Sequence, residues 1–84
     1  MLEKGFWAEV IVGEHHLRLF AEETPLGAQA SVYNVKQKTW IAPSESVDSV
    51  EEGKDRAEGH ASAYLRRVAN AELPPLIWKK SRTA

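Results

Sequence analysis

Three histidines, a run of carboxylates and a short basic tail are the groups in this chain that could move protons, hold a metal or grip phosphate. His15 and His16 are adjacent at a turn, and neighbouring strand residues point to opposite sides, so the two do not chelate one ion together. His60 stands one helical turn from Arg56 and Tyr64, where a solvated or edge-packed ring, or a pH-sensitive contact, is the expected role. No H-E-x-x-H spacing exists, and with no Cys in the chain disulfides and thiolate zinc sites are excluded; no metal or cofactor is expected. Glu51, Glu52, Asp55 and Glu58 crowd one end of a predicted helix, the ordinary pattern of a solvated acidic face. There is no G-x-S-x-G, P-loop or G-x-G-x-x-G. A chain of 84 residues is also expected to have little room for a pocket of several hundred cubic ångströms. Taken together these residues predict a protein that is not an enzyme.

The aromatic residues are more informative. Trp7, Phe20, Tyr33 and Trp40 fall in segments of strand composition, and Trp78 lies beyond them near the C-terminus. The basic residues Lys79, Lys80 and Arg82 follow it. Stacking of nucleobases on such aromatics contributes about 1–3 kcal/mol per base. Aromatics and Arg are equally the residues enriched at protein interfaces.

The elements that must position these groups follow from periodicity. Four strands are predicted at about 6–12, 16–22, 28–36 and 39–42. In the first, Phe6, Ala8, Val10 and Val12 alternate with Trp7, Glu9 and Ile11. In the second, Leu17, Leu19 and Ala21 alternate with Arg18, Phe20 and Glu22. In the third, Ala28, Ala30, Val32 and Asn34 alternate with Gln29, Ser31, Tyr33 and Val35. Gly13 suits a hairpin turn, Thr24-Pro25-Leu26-Gly27 a β-turn, and Lys36-Gln37-Lys38 a polar reversal. Such short turns predict an antiparallel meander. The fourth strand is expected to end at Pro43, with residues 43–48 a linker.

One helix is predicted over about 49–70. Ser49-Val50-Glu51-Glu52 reads as a capping box, with Asp48 as the alternative cap. Val50, Ala57, Ala61, Tyr64, Leu65 and Val68 recur at helical spacing and form its buried stripe, extended by Gly53. Gly53, Ala57 and Ala61, four apart, predict a smooth strip that lets the helix sit close to the sheet. Glu52 and Arg56 form a favourable i,i+4 pair. Pro74-Pro75 stops the helix before Leu73.

The fold class expected is therefore α+β: a four-stranded antiparallel meander with one helix on one face, comprising residues 1–72, followed by an extension, 73–84. A domain of this size buries roughly 60–65% of its unfolded surface, so its core is thin. With Phe6, Val10, Leu17 and Leu19 under the helix, Trp7, Ile11, Arg18, Phe20 and Tyr33 share the other face. Three fates suit that face: a second core layer covered by Leu76, Ile77 and Trp78, a protein or homodimer interface, or a nucleic-acid platform.

Charge weighs against the last. The net charge is −1, and Glu9 and Glu22 share the face with Arg18, whereas phosphate binding needs an excess of cations. The balance is uneven along the chain. Residues 1–60 hold 6 Lys and Arg against 11 Asp and Glu, giving −5, and residues 61–84 hold 5 against 1, giving +4. Acidic residues in the first helical turn and basic ones in the last account for much of this through the helix macrodipole.

The run Ala30-Ser31-Val32-Tyr33-Asn34-Val35-Lys36-Gln37-Lys38-Thr39-Trp40-Ile41-Ala42 resembles the last hairpin of small bacterial proteins built from a three- or four-stranded sheet and one helix. The Ala-rich helix from Glu51 to Leu65 is similar to their closing helix, and the element order loosely resembles antitoxins of the HicB type. The resemblance spans residues 6–70 and implies sheet-and-helix domains that associate; it carries no active-site residues. The start of the chain lacks a signal-peptide pattern, and no apolar run approaches the roughly 20 residues that span a bilayer. A soluble cytoplasmic interaction module is the function expected, with weak nucleic-acid binding through the sheet aromatics and the tail as the alternative.

Overall fold

Strand alternation and one helical stripe set the architecture. The computed structural model describes residues 5–80. Strands β1 (Gly5–Val12), β2 (His15–Thr24), β3 (Gly27–Asn34) and β4 (Thr39–Val47) precede the helix α1 (Val50–Ala69), and a short strand β5 (Lys79–Lys80) follows it. All neighbours pair antiparallel, in the order β4-β3-β2-β1-β5. The α+β meander with a single packed helix is as the alternation predicts; β5 is an addition.

The turns follow from local chemistry. Gly13, at φ +58°, opens the two-residue loop between β1 and β2, a position where a side chain would be strained. Gly27 is needed for space as well as for its φ of +142°: a Cβ there would lie 2.6 Å from the Val47 carbonyl oxygen. Between β3 and β4, the Asn34 side chain accepts a hydrogen bond from the Gln37 amide at 3.0 Å, and Lys38 takes the left-handed conformation.

β4 does not stop at Pro43. It continues to Val47, and the expected linker over 43–48 is mostly strand. The reason is position. β4 is the sheet's edge, where an amide facing outward has no ladder bond to lose, so a proline is tolerated. The register against β3 shifts by one residue at each of two places, from Tyr33 opposite Trp40, to Val32 opposite Ala42, to Ala30 opposite Glu45. The first shift turns Ala42, 6% exposed, to the helix side, and the second returns Glu45 and Val47, 8% exposed, to it.

α1 begins at Ser49, whose Oγ accepts from the Glu52 amide at 3.2 Å. The returning bond of the box goes one residue further back, from the Asp48 amide to Glu52 Oε1 at 3.1 Å. At the other end, Asn70 is left-handed and its amide reaches the Arg66 and Leu65 carbonyls. Gly53, Ala57, Ala61 and Leu65 are buried against Val10, Leu17, Leu19, Ala30 and Val32. Val68 departs from the predicted stripe: it is 41% exposed, as is the whole last turn, 66–70. The strip of small residues is real, but Gly53 is not forced to be glycine. A Cβ there would meet Ala21 Cβ at 3.4 Å and Val47 Cγ2 at 3.5 Å, which is ordinary contact.

α1 lies over β2, β3 and β4, which leaves the helix side of β1 uncovered. The C-terminal segment fills that space. Leu73, Leu76 and Trp78 pack against the core beneath the helix, and the Trp78 indole N–H donates to Glu58 of α1 at 3.2 Å. β5 then lies along β1, with Lys79 opposite Trp7 and Lys80 opposite Phe6. The extension was expected to dock on the sheet or to lie along its edge, and it lies along the edge; of the three fates of the second face, cover by Leu76, Ile77 and Trp78 is not what occurs, and Ile77 is 77% exposed.

Candidate interaction surface

With α1 and the C-terminal segment on one side, the other side of the sheet is left open among the described residues. The register lays its residues out in rows. One row runs Trp40, Tyr33, Arg18 and Glu9 across β4, β3, β2 and β1. The next runs Ser31, Phe20, Trp7 and Lys79 across β3, β2, β1 and β5. Of the predicted surface residues, Trp7, Arg18, Phe20, Tyr33 and Trp40 are therefore brought together.

Trp78 is not among them. Strand alternation separates it from Lys79, which shares the row of Trp7. That parity, Leu76 and Trp78 against Ile77 and Lys79, was the available signal. Lys80 falls on the helix side, beside Phe6, and Arg82 lies outside the described residues.

The aromatics touch one another. The rings of Tyr33 and Trp40 are 4.8 Å apart, edge to face, and those of Phe20 and Trp40 6.2 Å. Trp7 is flanked by cations: the Arg18 guanidinium is 5.8 Å from its ring centre and the Lys79 ammonium 5.1 Å. Lys79 is a member of this surface that charge counting along the chain had assigned to the tail alone. Ile11 and Ile77 extend the apolar area toward the β5 edge, where with Glu9, Pro75 and Lys79 they line a shallow groove.

Glu9 is the electrostatic hub. Its carboxylate pairs with His16 Nε2 and accepts from Arg18 Nε at 3.3 Å. The hydrogen bond to His16, reinforced by Arg18 and partly offset by desolvation, holds its carboxyl below the ordinary value of 4.5. Glu22 accepts from Gln29 Nε2 at 3.2 Å. The face thus carries both signs, mostly compensated within the chain.

On the other side of the sheet a second carboxylate ties α1 to the edge strand. Glu45 of β4 pairs with Arg56 and, at 3.0 Å, with His60 Nε2; the bond to His60 is the main reason its carboxyl is also lowered. The predicted pair of Glu52 with Arg56 is present at 3.7 Å. His15 meets Tyr64 edge-on at 6.1 Å.

Among the described residues no group of three His, Asp or Glu side chains is arranged to hold a metal ion. The expectation of no sizeable cleft does not stand. An open depression of roughly 560 Å³ lies where the β2–β3 turn meets the start of α1, lined by Phe6, Thr24, Asp48, Ser49, Val50 and Lys80, among others. Of its polar residues, Asp48, Ser49, Glu51 and Lys80 are exposed, and Glu23 and Thr24 are half-buried. Among the described residues no helix is long and apolar enough to cross a membrane.

No protein-family model, curated protein or solved structure matches this chain.

Proposed function

We propose that this chain is a non-enzymatic protein-interaction module that docks through the open face of its sheet. The observation that carries the reading is that, among the described residues, the internal cover lies on one side. α1, Leu73, Leu76 and Trp78 shield the helix side, while Trp40 and Ile11 remain 54% and 65% exposed on the other. Between them Trp7, Phe20 and Tyr33 are half-buried against one another and their charged neighbours, and an apolar face rimmed by charge is what interaction sites look like. The cysteine-free composition supports a reducing, cytoplasmic setting.

Acrylamide quenching of single-tryptophan variants tests the reading. Trp40, 54% exposed, is expected to be quenched freely and the half-buried Trp78 weakly. Equal protection of the two would mean that the face is closed and would remove the proposal.

Lys79 beside Trp7 favours a second reading, weak binding of single-stranded nucleic acid through Phe20, Tyr33 and Lys79, with the basic tail beyond it. Chemical-shift changes with an oligonucleotide at about 50 mM salt, fading steeply as salt rises, are its signature. An unperturbed spectrum at low salt rules it out.

A further inference from the structure

We propose that the occupant of the open face is a second copy of this chain, packed face to face about a two-fold axis that runs along the strands between β1 and β2. This rests on the docking reading above and adds the partner and the geometry.

Charge argues first. Arg18 and Lys79 stand on the face against Glu9 and Glu22, so the surface is close to neutral, and Glu9 is already paired with His16 and Arg18. A strongly charged partner gains little there, and an identical face meets no net repulsion.

Register argues second, because a two-fold interface must be complementary to itself. In the sheet, Phe20 of β2 is opposite Trp7 of β1, and Arg18 is opposite Glu9. An axis between these two strands exchanges them. It sets Phe20 of one copy on Trp7 of the second, Arg18 on Glu9, and His16 on Ile11. Tyr33 then falls toward the β5 side, where Ile77 and Lys79 stand. No like charges are apposed. An axis down β2 itself would set Arg18 on Arg18.

Area sets the strength. About this axis β1 and β2 overlap along their length, β3 meets only the short β5, and β4 lies outside. Two strands about 4.8 Å apart and about eight residues long at roughly 3.3 Å each, with the short β3–β5 overlap, present about 300 Å² per copy. The total, about 600 Å², is that of a weak, transient association, with Trp7 and Phe20 central and Trp40 at the rim.

Sedimentation velocity from about 1 to about 200 µM reads the mass directly. The expected result is a rise from 9.4 kDa toward twice that value. Phe20→Glu should weaken self-association at least tenfold or so, whereas Trp40→Ser should change it less than about threefold. Arg18→Glu alone and Glu9→Arg alone should each fail to self-associate, while an equimolar mixture of the two should pair, a result that the Arg18–Glu9 pair inside one chain does not mimic; this decides the matter if Phe20→Glu does not fold. A chain that sediments as a monomer throughout overturns the proposal, and so does a dimer indifferent to Phe20→Glu and Arg18→Glu. The quenching of Trp40 separates the two levels. A monomer with freely quenched Trp40 removes only the second copy as occupant and leaves a docking face for another partner. A monomer with Trp40 as protected as Trp78 overturns the docking reading as well.

Discussion

The two faces of this sheet are made by the same strands, yet they differ in almost every residue. The helix side holds Val10, Leu17, Leu19, Ala30 and Val32, each at most 1% exposed. The open side holds Trp7, Phe20, Tyr33 and Trp40 interleaved with Arg18, Glu9 and Lys79. Small aliphatic residues suit a permanent partner at fixed distance, here α1 with its own strip of Gly53, Ala57 and Ala61. Large rings with a polar margin suit a surface that must be stable in water and also able to dock. The contrast separates what the fold needs from what is free for function.

Truncation on the two sides should break or sharpen that contrast. Leu65→Ala, under the sheet and fully buried, is expected to destabilise by roughly 2–5 kcal/mol in urea unfolding. Phe20→Ser on the open side should cost no more than about 1 kcal/mol. Comparable losses would mean that the open face is core in disguise.

Trp78→Ala comes next, at roughly 1.5–3 kcal/mol, since a half-buried indole loses both apolar burial and its bond to Glu58. A change near zero would detach the C-terminal segment from the helix side. Gly59→Ala is smaller and of opposite sign. A Cβ there meets nothing within 4 Å, so stability should rise by up to about 1 kcal/mol through helix propensity alone.

The smallest effect is electrostatic. Glu45 and Glu9 have lowered folded-state values, so their stabilisation is complete above the ordinary value of 4.5 and is lost as pH falls through the lower folded one. The urea midpoint should therefore decline on acidification below that value. Glu45→Gln should flatten part of the decline, and an unchanged acid limb would mean that the clamp between β4 and α1 contributes nothing.

Much of this was legible in the sequence because strand alternation and helix capping are local. Leu17, Leu19 and Arg18 sort to their faces by parity alone, and Ser49 with Glu52 marks the start of α1. The extension of β4 through Pro43 was not legible, because a proline forbids a central strand but not an edge one, and edge position is a property of the whole sheet. The side taken by Trp78 was missed for a similar reason. Alternation in Leu76, Ile77, Trp78 and Lys79 gives parity, but the face depends on pairing with β1, some seventy residues away in the chain. The union of Lys79 with Trp7 and Arg18 follows from that same pairing.

The bulged, proline-bearing edge at β4 has a consequence for how copies of this protein can accumulate. An ordinary edge strand is a template on which further chains add without limit, the route to fibres. Here one border is broken by Pro43 and two register shifts, and the other is a two-residue strand of lysines, a charge that repels its own kind. Open-ended growth strand by strand is thus obstructed along β4 and where the lysines of β5 cover β1.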